Sequence, residues 1–213
     1  MNTLGVFLYI FLWMIAAYAP YKPNQKKLFI GASHGYAWLV SIWFTICIVA
    51  LMYPTIPFIR INIRFNWVFP LITIIWFVSP YIVRRFGREP KATLSDSPAR
   101  LLIRFESKII MTKYFEILFQ QSMFIYILFV LLRGQPFWMT IVSFIVIIGM
   151  IHLGNFPFTG KKDTLFYFYL SLPMAAVFGI LILNGYVSMT IAIHMIFYLV
   201  FNGRYWFARQ NRT

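Results

Sequence analysis

Seven long apolar stretches constrain this chain more than any other feature of its sequence. Each holds roughly 16–20 residues, close to the ~20 that an α-helix needs to cross the hydrocarbon core of a bilayer. They run from Leu4 to Ala19, Tyr36 to Tyr53, Trp67 to Val83, Tyr114 to Leu132, Phe137 to Leu153, Leu165 to Leu183 and Tyr186 to Phe201. We therefore predict an all-α, polytopic membrane helix bundle of about seven transmembrane helices, in a single domain that covers residues 1–213.

The composition excludes an ordinary soluble domain. Hydrophobic residues make up 61% of the 213-residue chain and charged residues only 11%. A soluble domain has about 25% charged residues, because its surface must be covered by groups that water solvates. The apolar stretches therefore belong to an integral, multi-pass membrane protein.

The basic residues predict an orientation. The chain has 19 Lys and Arg against 5 Asp and Glu. If the N-terminus is outside, only Arg60, Arg64 and Arg133 lie in external loops, and all the other basic residues lie on the cytoplasmic side. This asymmetry follows the positive-inside rule and predicts an N-out/C-in topology. We expect membrane lipid as a partner and no nucleic acid, since topology accounts for most of the basic excess.

A polar segment from Arg84 to Lys113 separates the third and fourth stretches. Asp96, Ser97 and Pro98 are typical of a helix start, and apolar residues recur after them at near-helical spacing between basic ones. This pattern predicts a cytoplasmic amphipathic helix before the fourth span. Periodicity alone leaves a second interpretation open, in which the segment is an extension of the fourth helix.

Three ionisable side chains fall within or at the end of predicted spans: Glu116, His152 and His194. Each costs about 2.5–3.5 kcal/mol at membrane depth, which makes it a functional candidate. Each also has a structural explanation. Glu116 can pair with Lys113 one turn back, His152 can cap its helix end, and His194 can make an interhelical hydrogen bond.

In order along the chain, these residues resemble the motifs of a family of intramembrane proteases. The segments 115–121 (FEILFQQ), 148–153 (IGMIHL) and 191–198 (IAIHMIFY) are similar to the motifs EExxxR, FxxxH and HxxxN of the CPBP family. This family includes CAAX prenyl endopeptidases and bacteriocin-processing or self-immunity proteins. The resemblance covers residues 110–202, whereas the first three spans, residues 1–83, have no matching motif.

The sequence departs from the family pattern in all three motifs, most mildly in motif two, where Ile148 stands in place of phenylalanine. One glutamate and the arginine of motif one are missing in either alignment of Glu116, since Gln120 or Gln121 stands at the arginine position. Tyr198 replaces the asparagine of motif three, and the two histidines keep their places.

The resemblance implies a hydrolytic site. Glu116 and His152 would activate a water molecule as general base and orienting partner, and His194 would stabilise the oxyanion, with Tyr198 as a substitute donor. The same Glu116, His152 and His194 could instead hold Zn²⁺ with one open position. Cofactors are therefore either none or zinc, and the residues leave the choice open.

Two functions follow from this pattern. One is a divergent endopeptidase that hydrolyses a peptide bond of a membrane-associated or lipidated peptide near the cytoplasmic face. The other is a catalytically degenerate relative that binds a peptide as an immunity or scaffold protein. A transporter with a Glu/His proton relay would need more polar sites along a path than this sequence contains.

The compact size and the lack of targeting tails predict that the protein lies in a prokaryotic plasma membrane.

Overall fold

A computed structural model describes residues 3–20, 34–58, 65–86, 107–154, 156 and 161–207 of the chain. These residues form helices and short turns, with no strand among them. The seven helices are α1 (Thr3–Tyr18), α2 (His34–Met52), α3 (Val68–Phe86), α4 (Ser107–Tyr126), α5 (Phe137–Leu153), α6 (Lys161–Leu183) and α7 (Val187–Phe207). A 3₁₀ turn, Tyr53–Phe58, prolongs α2, and a π-helical turn, Ile127–Leu131, prolongs α4.

The predicted all-α fold is confirmed, and each of the seven apolar stretches coincides with one helix. Four segments are long and apolar enough to cross a membrane: His34–Phe58, Val68–Phe86, Ser107–Leu131 and Thr164–Leu183. Helices α5 and Val187–Val200 of α7 are apolar but shorter. Hydropathy predicts the positions of these helices because a helix that crosses a bilayer is apolar along its whole length.

Helix α4 lies at the centre of the bundle. Within its most apolar window 61% of the residues are buried, against 22–28% in the other three long segments. Two apolar clusters meet on it. Phe119 and Met123 belong to one cluster with α1, α2, α5 and α6, whereas Tyr114 and Ile117 belong to the other with α3 and α7. Most side chains of α4 are therefore enclosed by other helices.

Helices α1 and α2 cover one flank of α4. The ring of Tyr9 stacks on that of Tyr126 with centroids 4.6 Å apart, and the Trp43 indole donates a hydrogen bond of 2.9 Å to the Ala16 carbonyl. The outward faces of α2 and α3 present large apolar side chains, such as Leu39 and Ile74, both more than 60% exposed. Exposed apolar faces of this kind suit a lipid environment.

Helices α5 and α6 pack closely because glycines lie at their contact. A Cβ atom on Gly149 would be 3.1 Å from side-chain carbons of Leu172 and Phe168. A Cβ on Gly179 would be 3.0 Å from Ile141 and 3.1 Å from Phe144. Small residues allow the backbones to approach, which is the usual way in which membrane helices associate.

The described residues include only the last part of the polar segment before the fourth span. Residues 107–113 are continuous with α4, so they follow the interpretation as an extension of the fourth helix. Ile109 and Ile110 are buried, and Trp76 of α3 donates a hydrogen bond of 2.8 Å to the Ile110 carbonyl. The remainder of the predicted amphipathic helix, including Asp96, lies outside the described residues.

Candidate functional site

The polar side chains of α4 form a stripe that faces α7. Lys113, Glu116 and Gln120 lie three and seven residues apart, which places them on one face of the helix. Gln121, next in sequence, borders this stripe. On α7, His194 and Tyr198 lie four residues apart, so their side chains are also neighbours on one face.

Glu116 is held by two side chains of its own helix. The Lys113 ammonium lies 2.7 Å from Glu116 Oε1, and the Gln120 amide donates a hydrogen bond of 3.2 Å to the same oxygen. The side chains of Lys113 and Glu116 are only 11% and 14% exposed. The structural explanation offered for Glu116, a pair with Lys113, is thus observed, but as a largely enclosed ion pair.

Lys113 is the main correction to the charge assignment. The positive-inside count placed Lys113 in a cytoplasmic loop, whereas the structure places it within α4 and buries all but 9% of the residue. Its ammonium also lies over the ring of Tyr198, 4.8 Å from the centroid. A cation over an aromatic face is favourable, and more so where water is excluded. Lys113 therefore links Glu116 of α4 to Tyr198 of α7.

Gln121 joins α4 to α7 directly. Its Nε2 lies 3.0 Å from Nδ1 of His194, within hydrogen-bonding distance. Gln121 is 1% exposed. The interhelical hydrogen bond expected for His194 is therefore present, and its partner is a residue that the sequence analysis did not single out.

His194 lies between two aromatic rings. The Tyr198 ring stacks on it at a centroid distance of 5.3 Å and an interplanar angle of 19°. The Phe178 ring of α6 lies on it at 5.7 Å. Two of the predicted site residues, His194 and Tyr198, therefore lie in direct contact.

His152 takes no part in the hydrogen bonds and ring contacts described above for this cluster. It occupies the last turn of α5, where its Nδ1 lies 2.9 Å from the Ile148 carbonyl. Because a carbonyl only accepts, Nδ1 carries the proton, and in the neutral ring Nε2 is then an acceptor.

The residues do not fit a zinc site. Zn²⁺ needs three or four ligand atoms at about 2.0–2.3 Å. Among the described residues no group of three or more His, Cys, Asp or Glu side chains could hold a metal ion. Glu116 Oε1 and the Nδ1 atoms of both histidines have partners within the protein.

Sequence reasoning missed Gln121 and underrated Lys113. Both are polar residues in a helix whose neighbours are nearly all apolar, and a polar side chain at membrane depth is itself a mark of function or interhelical contact. The sequence analysis noted Gln121 only as a replacement for the arginine of motif one and assigned it no role in the site. None of the protein-family models, curated proteins and solved structures with which we compared the chain matches it.

Proposed function

We propose that this chain is a multi-pass membrane protein that binds a membrane-associated or lipidated peptide between α4 and α7 without cleaving it. In this reading it is a catalytically degenerate relative of the CPBP proteases, with an immunity or scaffold role. The observation that carries the proposal is the engagement of Glu116. Its carboxylate faces the Lys113 ammonium at 2.7 Å and accepts a second hydrogen bond from Gln120.

A general base must be available to a water molecule and must be basic enough to take its proton. Glu116 Oε1 is already engaged by the Lys113 ammonium and the Gln120 amide, so a water molecule would have to displace these groups from that oxygen. His194 likewise has its Nδ1 engaged by Gln121. With one glutamate and the arginine of motif one missing, the cluster is better equipped for binding than for hydrolysis.

A second candidate is the divergent intramembrane endopeptidase, and the tautomer of His152 favours it. Its Nδ1–H donates to the Ile148 carbonyl, which leaves Nε2 with the lone pair that a base or water-orienting group needs. In this reading Glu116 and His152 activate the water. His194 and the Tyr198 hydroxyl then donate hydrogen bonds to the oxyanion of the tetrahedral intermediate.

One experiment separates the two candidates. The full chain in lipid nanodiscs is incubated with synthetic apolar peptides that carry a benzophenone, half of them with a farnesylated C-terminal cysteine. After illumination, mass spectrometry detects both cross-linked peptide and new peptide termini. Binding without cleavage predicts intact cross-linked peptide, retained in Glu116→Gln.

Cleavage would give new termini that disappear in Glu116→Gln, His152→Ala and His194→Ala while membrane insertion is unchanged. The absence of both cross-links and new termini would contradict both candidates. A Val142→Ala variant, altered at an exposed position of α5, serves as the matched control in either case.

We also propose that all seven helices cross the membrane, with the N-terminus outside and the C-terminus inside, in a prokaryotic plasma membrane. The asymmetry of the basic residues supports this topology. In a Cys47→Ser background, a membrane-impermeant maleimide should label Asn2→Cys in intact cells and Thr213→Cys only after permeabilisation. The reverse labelling pattern would contradict the topology.

A further inference from the structure

The buried amide of Gln121 is incompletely satisfied. Its Nε2 contacts His194, but its Oε1 is enclosed and has no hydrogen-bond partner among the described residues. A buried polar atom without a partner costs about 1–3 kcal/mol. Since most buried polar groups in native proteins are satisfied, an orphaned acceptor at a candidate site marks a place where a bound group can complete the bonding.

The hydrogen bond between Gln121 and His194 determines which donor and acceptor atoms the pair can offer to a ligand. When Gln121 Nε2 donates to Nδ1, the imidazole proton must lie on Nε2. The pair then offers an acceptor, Gln121 Oε1, and a donor, His194 Nε2–H, in addition to the second N–H of the amide. If the amide is rotated by 180°, Oε1 accepts from His194 Nδ1–H instead. The Gln121 NH₂ group is then the donor and His194 Nε2 the acceptor, so a donor and an acceptor remain.

One donor beside one acceptor is the complement of a peptide group, which has one N–H and one C=O. The surroundings favour an uncharged, apolar ligand, because the rings of Phe178 and Tyr198 flank the imidazole. A peptide in a regular helix uses its N–H and C=O internally, so only an unwound or extended segment can offer both.

We propose that Gln121 and His194 bind one peptide group of an unwound hydrophobic segment, with Oε1 accepting from its N–H and Nε2 donating to its C=O. This inference rests on the proposed peptide-binding function and assigns the group that the site recognises. It makes Gln121 a specificity-determining residue, since a ligand that lacks the N–H leaves Oε1 unsatisfied.

A second orphaned atom provides a contrast within the same protein. Trp13 Nε1 of α1 is also buried without a partner among the described residues. Its indole packs on Phe119 with centroids 6.4 Å apart, within the larger apolar cluster. It is a single donor in apolar surroundings, whereas Gln121 is paired with an imidazole that supplies the second contact.

The test compares amide and ester ligands on the full chain in nanodiscs. The probe is acetyl-Leu-Leu-N-methylamide, together with three analogues in which one backbone N–H at a time is replaced by an ester oxygen. Binding is followed through the imidazole ¹⁵N resonances of ¹⁵N-histidine-labelled protein, with the His194 signals assigned by their absence from His194→Asn.

We expect the parent amide to shift the His194 signals and one of the three esters to bind about tenfold more weakly or worse, as the loss of one buried hydrogen bond predicts. Gln121→Leu should bind the amide and that ester equally. Gln135→Leu, altered at an exposed position, should keep the difference.

Equal binding of the amide and all three esters to the unmodified chain would overturn the inference and leave the proposed peptide binding standing. Failure of the parent amide to bind at all would overturn the inference too. In that case, cross-linking of the longer benzophenone peptides would show separately whether the proposed function survives. The ester comparison needs no variant, so it stands even if Gln121→Leu fails to fold.

Discussion

Two helix pairs in this bundle are held together by different means. Helices α5 and α6 meet through glycines and apolar side chains, with a Cβ on Gly179 only 3.0 Å from Ile141. Helices α4 and α7 share apolar contacts around Ile117 and Met195 as well, but they add a glutamine–histidine hydrogen bond and an ammonium over a tyrosine ring.

The difference shows that polar contacts are not needed for association here. Close packing through small residues suffices for α5 and α6, as it commonly does in membranes. Interhelical hydrogen bonds in membranes average only about 0.6 kcal/mol, because the separated helices find other partners. The hydrogen bond between Gln121 and His194 is therefore expected to add little to stability, which agrees with the binding role proposed above.

The largest stability effect should come from breaking the enclosed ion pair. Glu116→Leu leaves the Lys113 ammonium buried without its counter-charge, and loss of one partner of a buried pair costs about 3–5 kcal/mol. We expect this fall in the free energy of unfolding in bicelles, measured by steric trapping against the unmodified chain.

The matched control removes both charges. Lys113→Met combined with Glu116→Leu should recover most of the lost stability, since replacing a buried pair by apolar side chains of similar volume is often neutral or favourable. A double variant as unstable as Glu116→Leu alone would show that the pair is not the source of the effect.

A smaller effect should follow from crowding the α5–α6 contact. Gly179→Val introduces branched carbons where a single Cβ would already meet Phe144 at 3.1 Å, and overpacking typically costs about 1–3 kcal/mol. We expect a lower free energy of unfolding and unchanged peptide cross-linking at temperatures where the variant is folded. Val177→Ala on an exposed face of α6 is the control. Loss of cross-linking in folded Gly179→Val would contradict the assignment of peptide binding to the α4–α7 pair alone.

The smallest stability effect is expected at the polar contact itself. Gln121→Leu removes one hydrogen bond but also an unsatisfied buried oxygen, so the two changes offset each other. The free energy of unfolding should stay within about 1 kcal/mol of the unmodified chain. A loss of 3 kcal/mol or more would make Gln121 a structural residue and weaken the case for a binding role.

The sequence predicts the positions of the helices well, but it does not predict which helices pack against one another. Length and hydropathy locate a helix such as α5, Phe137–Leu153, to the residue at both ends, because each span must satisfy its own backbone. Which helices adjoin depends on side-chain fit, which no single-helix pattern encodes. The contact of His194 with Gln121 follows from the packing of α7 on α4, and this information is absent from either segment alone.

Lys113 illustrates the same limit for charge. Its position after a run of basic residues favoured a solvated loop, yet its spacing to Glu116 also allowed an i, i+3 pair. The packing of other helices around α4 decides between these two positions, because it buries Lys113 beside Glu116. The sequence analysis thus named as site residues Glu116, His194 and Tyr198, which lie in this cluster, but not Lys113 and Gln121, to which Glu116 and His194 are bonded.

The most direct test of the central claim compares one variant from each helix pair in two assays. For Gln121→Leu/His194→Leu and for Gly179→Val, the free energy of unfolding and the yield of peptide cross-linking are measured on the same nanodisc preparations. The account predicts that the first variant loses cross-linking at least about tenfold with stability within about 1 kcal/mol, and that the second loses stability and keeps cross-linking. A first variant that unfolds readily, or one that captures peptide as well as the unmodified chain, would contradict a binding role for the α4–α7 contact.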